Sequence, residues 1–194
     1  MTIKENYIRV TELLRPWQNF GNIPQSILDA KAEIGTNVHE AISCHSIGLP
    51  IPILTDREQK YFESYLKWEE LNEPTFLCTE QRYYLDDLML TGQIDAIVSF
   101  PGREEGRIID FKCSANASEM HWQIQLGWYY ILATKSGIGV NRNTFVIQLK
   151  DTGAPAKSYP FEITNEVIRI CHAVYSSYTH FNPIKKHPEL GICC

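Results

Sequence analysis

The sequence predicts an α/β fold in which helices flank a central mixed β-sheet. Two observations predict it. Helical segments come first, three strand-like segments follow one another, and a helix, a strand and a last helix complete the order. Short turns join the consecutive strands, which favours antiparallel pairing, whereas a helix separates the third strand from the fourth, as a parallel crossover requires. The sheet should therefore contain both kinds of pairing.

Two helices are predicted in the first part of the chain. Residues 23–44 should form the first, because Pro24 suits a first helical turn and apolar residues then recur at helical spacing. Residues 56–71 should form the second, whose apolar face is mostly aromatic. The apolar positions are Ile27, Ala30, Ile34, Val38, Ala41 and Ile42 in the first helix and Tyr61, Phe62, Tyr65, Leu66 and Trp68 in the second.

The next segments are predicted to form three strands, of which the last two make a hairpin. The predicted strands are residues 76–85, 89–100 and 107–113. Pro101 and Gly102 interrupt the apolar pattern, and residues 104–106 complete the predicted turn. Asp95 and Asp110 should therefore lie on neighbouring strands of one hairpin.

The rest of the chain should complete a single domain. A helix is predicted at residues 118–136, a strand at 143–149 and a last helix at 164–178. With 194 residues and 44% hydrophobic content, the chain fits one domain over residues 1–181, and residues 182–194 are expected to form a loosely held C-terminal tail.

The second hairpin strand predicts a metal site. Side chains alternate along a strand, so Asp110 and Lys112 should share one face while Phe111 occupies the other. Together with Asp95 they suit Mg²⁺ or Mn²⁺ and metal-assisted phosphodiester cleavage, with the Phe111 carbonyl as a further ligand. The alternative is a solvated Asp-Lys ion pair, the commoner origin of an isolated D-x-K. Gly92 lies three residues before Asp95, and its presence favours a functional site over an isolated ion pair.

Four short motifs follow one another in the chain. They are Gly35-Thr36-Asn37-Val38-His39, Gly92-Gln93-Ile94-Asp95, Asp110-Phe111-Lys112 and Gln125-Leu126-Gly127-Trp128-Tyr129. These resemble the G-T-x-x-H helix, G-x-x-D strand, D-x-K strand and Q-x-x-x-Y helix of the PD-(D/E)XK nuclease superfamily, in particular its RecB-like branch with its phage-type exonucleases. The resemblance implies a restriction-endonuclease-like core, a central mixed sheet flanked by helices.

The same resemblance implies roles for particular residues. The metal ligands would be His39, Asp95, Asp110 and the backbone carbonyl of Phe111. The catalytic residues would be Asp95, Asp110 and Lys112, with Glu80 of the preceding strand as a further member. Gln125 and Tyr129 would position the nucleic-acid backbone. The cofactor would be one or two Mg²⁺ or Mn²⁺ ions.

Four of these positions have a structural alternative. His39 could be a hydrogen-bonded core histidine, and Glu80 could face solvent. Gln125 and Tyr129 share one helical face, on which Tyr129 could be a core residue with a satisfied hydroxyl. Gln125 is harder to explain in that way, because a buried amide without partners is costly.

The cysteines do not predict an iron-sulfur cluster. Some RecB-like nucleases hold one with an early cysteine and three late ones, but no cysteine precedes His39, and Cys171, Cys193 and Cys194 lack the late spacing. Free thiols, typical of a reducing compartment, are expected instead.

Charge and hydropathy limit the possible partners. The net charge of −5 argues against broad non-specific binding of duplexes, although a local groove can still be basic. Candidate groove residues are Arg9, Arg15, Lys31, Lys135 and Arg142, and candidate base-stacking residues are Tyr83, Tyr84, Trp122, Tyr129 and Tyr130. No apolar run approaches bilayer length, so we expect a soluble, cytoplasmic protein with no membrane partner.

The expected function is that of a metal-dependent deoxyribonuclease, more specifically an exonuclease, which hydrolyses phosphodiester bonds with a metal-activated water and leaves 5′-phosphates. One alternative is a structure-selective or single-strand endonuclease with the same residues. The other is a nucleic-acid-binding module that has lost turnover. The expected partners are single- or double-stranded DNA and, as in phage relatives, a recombination or strand-annealing protein.

Overall fold

A computed structural model describes residues 7–17, 23–114 and 118–183 and contains a mixed β-sheet flanked by helices, as the sequence predicts. The elements are β1 (Ile8–Arg9), α1 (Val10–Leu14), α2 (Gln25–Ser46), α3 (Asp56–Asn72), β2 (Thr75–Leu85), β3 (Leu90–Phe100), β4 (Arg103–Lys112), α4 (Glu119–Lys135), β5 (Asn143–Gln148), β6 (Lys157–Glu162) and α5 (Asn165–Phe181). The predicted tail lies outside the described residues from position 184 onwards.

The sheet has the strand order β1-β3-β4-β5-β6, and β2 pairs with β3 in addition. The pairs β2–β3, β3–β4 and β5–β6 are antiparallel, whereas β4–β5 and β1–β3 are parallel. Helix α4 provides the crossover between the parallel strands β4 and β5, as a connection of this kind requires. The prediction of a mixed sheet is therefore confirmed.

The sheet separates two apolar clusters. One contains Leu13 of α1, Ile108 of β4 and Leu126 of α4 together with residues of α5. The other contains Tyr65 of α3 and Phe111 of β4 together with residues of α2. Ile108 and Phe111 belong to opposite faces of one strand, because successive strand residues point to opposite sides of a sheet. Each face is thus covered by its own helices.

Helices α2 and α3 are joined by the N-terminal cap of α3. The Thr55 hydroxyl and the Glu58 carboxylate form a capping box, in which the Thr55 N–H donates to Glu58 at 2.8 Å. The Asn37 amide, two residues before His39, donates to the same carboxylate at 2.7 Å. The N-terminal cap of α3 therefore also holds α2, the helix that contains His39, in position.

The structure differs from the prediction at the hairpin turn. Residues 104–106 belong to β4, not to the turn, because the chain reverses at Pro101 and at Gly102, whose φ of 70° suits glycine. Strands β1 and β6 and helix α1 were not predicted at all. No helix of the described ranges is long and apolar enough to cross a bilayer.

Candidate active site

The candidate site lies where β3 and β4 separate. Their pairing extends from Phe100–Arg103 to Ala96–Ile109 and is not continued at the next residues, Asp95 and Asp110. The N–H of Phe111 therefore has no backbone partner on β3, and it donates to Asp95 Oδ2 at 2.8 Å. A carboxylate thus takes the place of a strand partner, which satisfies the buried amide and fixes the aspartate in the gap.

His39 reaches the same point from α2. Its Nε2 lies 3.0 Å from the Phe111 carbonyl, to which it can only donate, and its Nδ1 lies 3.5 Å from Asp95 Oδ2 and 3.7 Å from Glu80 Oε1. Burial lowers the pKa of His39, but the charge of Asp95 and hydrogen bonds to Asp95 and Glu80 outweigh it and hold the pKa well above 6.5. Without a metal, a proton on His39 offsets the carboxylate charge.

Glu80 is directed into the site by an unusual backbone. It lies in β2 between the pairs Thr79–Ala96 and Gln81–Ile94, and its φ of 49° is in the left-handed region, which is uncommon for residues other than glycine. The Gln93 side-chain amide donates to the Glu80 carboxylate, and the Arg82 guanidinium donates to the Gln93 carbonyl oxygen. This chain of hydrogen bonds, which the sequence did not predict, orients Glu80 towards His39.

Asp110 and Lys112 form an ion pair in which Lys112 Nζ lies 2.6 Å from Asp110 Oδ2. Burial raises the pKa of Asp110 to about 6; the charge of Lys112 opposes this rise and that of Asp95 adds to it. Burial lowers the pKa of Lys112, but the two aspartates raise it above its ordinary value. The lysine is therefore held in its charged form.

Gln125 and Tyr129 of α4 lie behind Asp110. The Gln125 amide donates to Asp110 Oδ1 at 3.2 Å and to the Tyr129 hydroxyl at 2.8 Å. Both side chains are buried. A buried amide without partners would be costly, and these two hydrogen bonds provide the partners that Gln125 requires. Burial also raises the pKa of Tyr129, which keeps the hydroxyl protonated.

These residues line one cavity of about 260 Å³, which holds every predicted site residue except Phe111. Arg9, Thr11 and Arg82 also line it. Of the five basic residues proposed from the sequence, Arg9 alone lines this cavity, whereas Arg142 instead bonds the Ile163 carbonyl. A second cavity of about 360 Å³ shares His39, Glu80 and Gln93 with the first and extends along α2.

The donor set fits a divalent cation that prefers oxygen ligands. Ligand atoms of His39, Glu80 and Asp95 all lie within 4.8 Å of one another. Asp110 lies outside this trio and pairs with Lys112. A dication bound here could balance the carboxylates in place of the His39 proton.

A splayed hairpin that brings two aspartates and a lysine together in a mixed sheet is the arrangement expected of a phosphodiester-cleaving nuclease. The chain belongs to the PD-(D/E)XK nuclease superfamily, whose profile matches residues 21–166. Members of this superfamily are nucleases that use divalent metals to hydrolyse phosphodiester bonds.

Comparison with solved structures gives a similar chain in a crystal structure of SSO0001, with 17% identity, 92% of this chain and 79% of that chain covered, and a TM-score of 0.46. A search of curated proteins gives no match.

Proposed function

We propose that the protein is a metal-dependent deoxyribonuclease of the RecB-like branch and that it acts as an exonuclease. The observation that carries the proposal is the convergence of all four sequence motifs at the gap between β3 and β4. His39, Asp95, Asp110 and Lys112 come from three elements, yet they meet at the gap and line one cavity. Packing alone does not require a buried set of unlike charges, because a core could replace them with apolar groups.

The proposed metal ligands are His39, Asp95, Asp110 and the Phe111 carbonyl, with Glu80 as a further ligand. A bound Mg²⁺ or Mn²⁺ would lower the pKa of a water and offset charge on the scissile phosphate. Glu80 is favoured as a ligand by its place in the compact trio with His39 and Asp95.

Lys112 is proposed to act on the phosphate as a cation. The raised pKa of its ammonium group argues against a role as the base that deprotonates the attacking water. Its contact with Asp110 holds the ammonium at the cavity, where it can donate hydrogen bonds to phosphate oxygens.

Gln125 and Tyr129 are proposed to position the nucleic-acid backbone from the wall of the cavity. They also hold Asp110 Oδ1 in place through the Gln125 amide. Resemblance to the RecB-like branch favours attack at a strand end, and it makes a recombination or strand-annealing protein the expected partner.

The test is degradation of end-labelled linear DNA and covalently closed circular DNA, single- and double-stranded, with Mg²⁺ or Mn²⁺. Wild type is compared with Lys112→Ala and with Lys60→Ala, a control that removes an exposed lysine. We expect Lys112→Ala to lose at least about a hundredfold in rate and Lys60→Ala to match wild type.

Loss of linear DNA alone would support the exonuclease, and the order in which labels disappear would give its polarity. Cutting of circles would make the protein an endonuclease. A wild type that cleaves no DNA, or a Lys112→Ala variant that cleaves as fast as wild type, would overturn the proposal.

A further inference from the structure

The gap that holds the site is bounded by two different strands. Strand β2 pairs with β3 from Leu90 to Ser99, so β1 and β4 must share the opposite edge of β3. On that edge β4 pairs as far as Ala96 and β1 pairs at Leu90 and Thr91. Residues 92–95 are left between them, a length of about 13 Å at about 3.3 Å per residue. The candidate site therefore lies in a notch whose far side is β1.

The segment that forms this far side is firmly attached to the rest of the protein. The Ile8 N–H donates to the Met89 carbonyl at 2.8 Å, and the Tyr7 hydroxyl donates to Asp86 at 2.6 Å. Val10, Leu13 and Leu14 of the following helix are buried in the core. The segment precedes the matched residues 21–166, so the superfamily profile does not account for its presence at the site.

This segment contributes a cation to the cavity. Arg9 lines the cavity together with the carboxylates, and within the described ranges no hydrogen bond or ion pair engages its guanidinium group. Arg82 lines the same cavity, and its bond to Gln93 uses one of its five N–H donors. Asp95 and Asp110 lie in the notch, whereas no carboxylate of residues 7–17, 23–114 and 118–183 forms an ion pair with Arg9.

We infer that Arg9 and Arg82 form a binding site for a backbone phosphate of the nucleic-acid strand whose neighbouring phosphate lies at Asp95 and Asp110. The inference rests on the proposed function. A protein with a net charge of −5 has to supply local cations wherever a polyanion approaches its acidic site. Arginine suits this task because its planar guanidinium can donate two parallel hydrogen bonds to one phosphate.

Arg9 provides the cleaner test, because a change at Arg82 would also release Gln93 and disturb Glu80. The Arg9→Ala substitution is made in the Lys112→Ala protein, in which a bound strand is expected to stay intact. Arg15→Ala in the same background is the matched control: it removes the same charge from an exposed side chain of the same segment, which does not line the cavity.

The measurement is the affinity for a fluorescent single-stranded oligonucleotide with Mg²⁺, followed by fluorescence anisotropy at several salt concentrations. Arg9→Ala should weaken binding about tenfold, as expected for a lost hydrogen bond to a charged group. It should also reduce the slope of log affinity against log salt by about 0.7, the value for one phosphate contact on a single strand. Arg15→Ala should leave the slope unchanged.

Equal salt slopes for Arg9→Ala and its parent would overturn the inference, and so would an equal loss in Arg15→Ala. The proposed function would survive either result, provided that wild type cleaves DNA and Lys112→Ala does not. Absence of any oligonucleotide binding by the parent protein, together with absence of cleavage by wild type, would overturn both. In the otherwise wild-type enzyme, Arg9→Ala should raise KM and leave kcat nearly unchanged, because the phosphate contact exists before and during the reaction.

Discussion

The Asp95 carboxylate accepts a hydrogen bond of 2.8 Å from the backbone N–H of Phe111, at the point where their two strands stop pairing. One side chain thereby satisfies the backbone of the D-x-K strand and faces the His39 imidazole. The structural and the proposed chemical roles of Asp95 can be separated, because an asparagine oxygen accepts the same hydrogen bond without carrying the charge.

Asp95→Asn should therefore keep the fold and lose the metal site. We expect a loss of at least about a hundredfold in Mn²⁺ affinity, since even residues that merely support a metal ligand cost about ten- to a hundredfold. The increase in melting temperature on addition of Mn²⁺ should disappear, and cleavage should fall in parallel. Asp151→Asn, in an exposed turn, is the control. Cleavage at the wild-type rate by Asp95→Asn would show that the Asp95 charge is not needed for catalysis.

Asp110 should make the metal-free protein less stable as the pH rises. The pKa of Asp110 is 3.8 in its ordinary state and about 6 in the folded protein, so between these values the folded state binds more protons. The free energy of unfolding then falls with rising pH over that window. Burial lowers the pKa of His121 to about 4, which has the opposite effect on stability. The quantity to measure is therefore the difference in melting temperature between wild type and a variant that lacks the Asp110 carboxyl group.

Asp110→Asn removes the titrating group and keeps its shape. In EDTA, the melting temperature of the variant minus that of wild type should increase from pH 4 to pH 6.5 and then level off. His39 should add a further loss of stability to both proteins at higher pH, as its raised pKa is passed, and this loss should cancel in the difference. A difference that stays constant across the range would show that Asp110 titrates normally.

The hydrogen bonds of Gln125 predict a graded loss of stability. Gln125→Ala removes the amide that donates to Asp110 Oδ1 and to the Tyr129 hydroxyl, and it should lower the free energy of unfolding by about 2 kcal/mol. Tyr129→Phe removes only the hydroxyl and should cost less. Chemical denaturation in EDTA measures both.

Gln125→Ala should also raise KM for DNA more than it lowers kcat if the side chain serves chiefly to position the substrate. The comparison with Tyr129→Phe separates this effect from general loosening of α4. A Gln125→Ala variant with wild-type stability and kinetics would contradict both the structural and the proposed functional role.

The residues that the sequence could predict belong to elements with a clear period. The hairpin aspartates follow from strand alternation, and His39 lies on a long helix with regular apolar spacing. The helix pattern also predicted that Gln125 and Tyr129 share a face, although it could not show that Gln125 bonds Asp110.

The features that the sequence missed depend on distant contacts. Strand β1 has two residues, too few for a detectable period, and its partner in β3 is about 80 positions away. The Arg82–Gln93–Glu80 chain requires Arg82 to lie opposite Gln93, a register that pairing sets and local sequence does not. Strand β6 carries Pro160, which argues against a strand unless it lies at the sheet edge, as this one does.

Two glycines in helices should respond to alanine with opposite signs. Gly35 in α2 has no atom within 4 Å of the position that a Cβ would occupy, so Gly35→Ala should raise the free energy of unfolding by about 0.5–1 kcal/mol through helix propensity. At Gly127 in α4 a Cβ would lie 2.7 Å from Cys171 Sγ and 2.9 Å from Val167 Cγ1 of α5. Valine is stiff at χ1 and cannot turn away freely.

Gly127→Ala should therefore lower the free energy of unfolding by about 1–3 kcal/mol, because crowding of a packed interface outweighs the gain in helix propensity. Chemical denaturation of both variants at one pH gives the comparison, and each variant is the control for the other. Stabilisation by Gly127→Ala would mean that α4 and α5 are not packed as closely as the Cys171 contact requires. An equal loss in Gly35→Ala would show that α2 is crowded at the start of its motif.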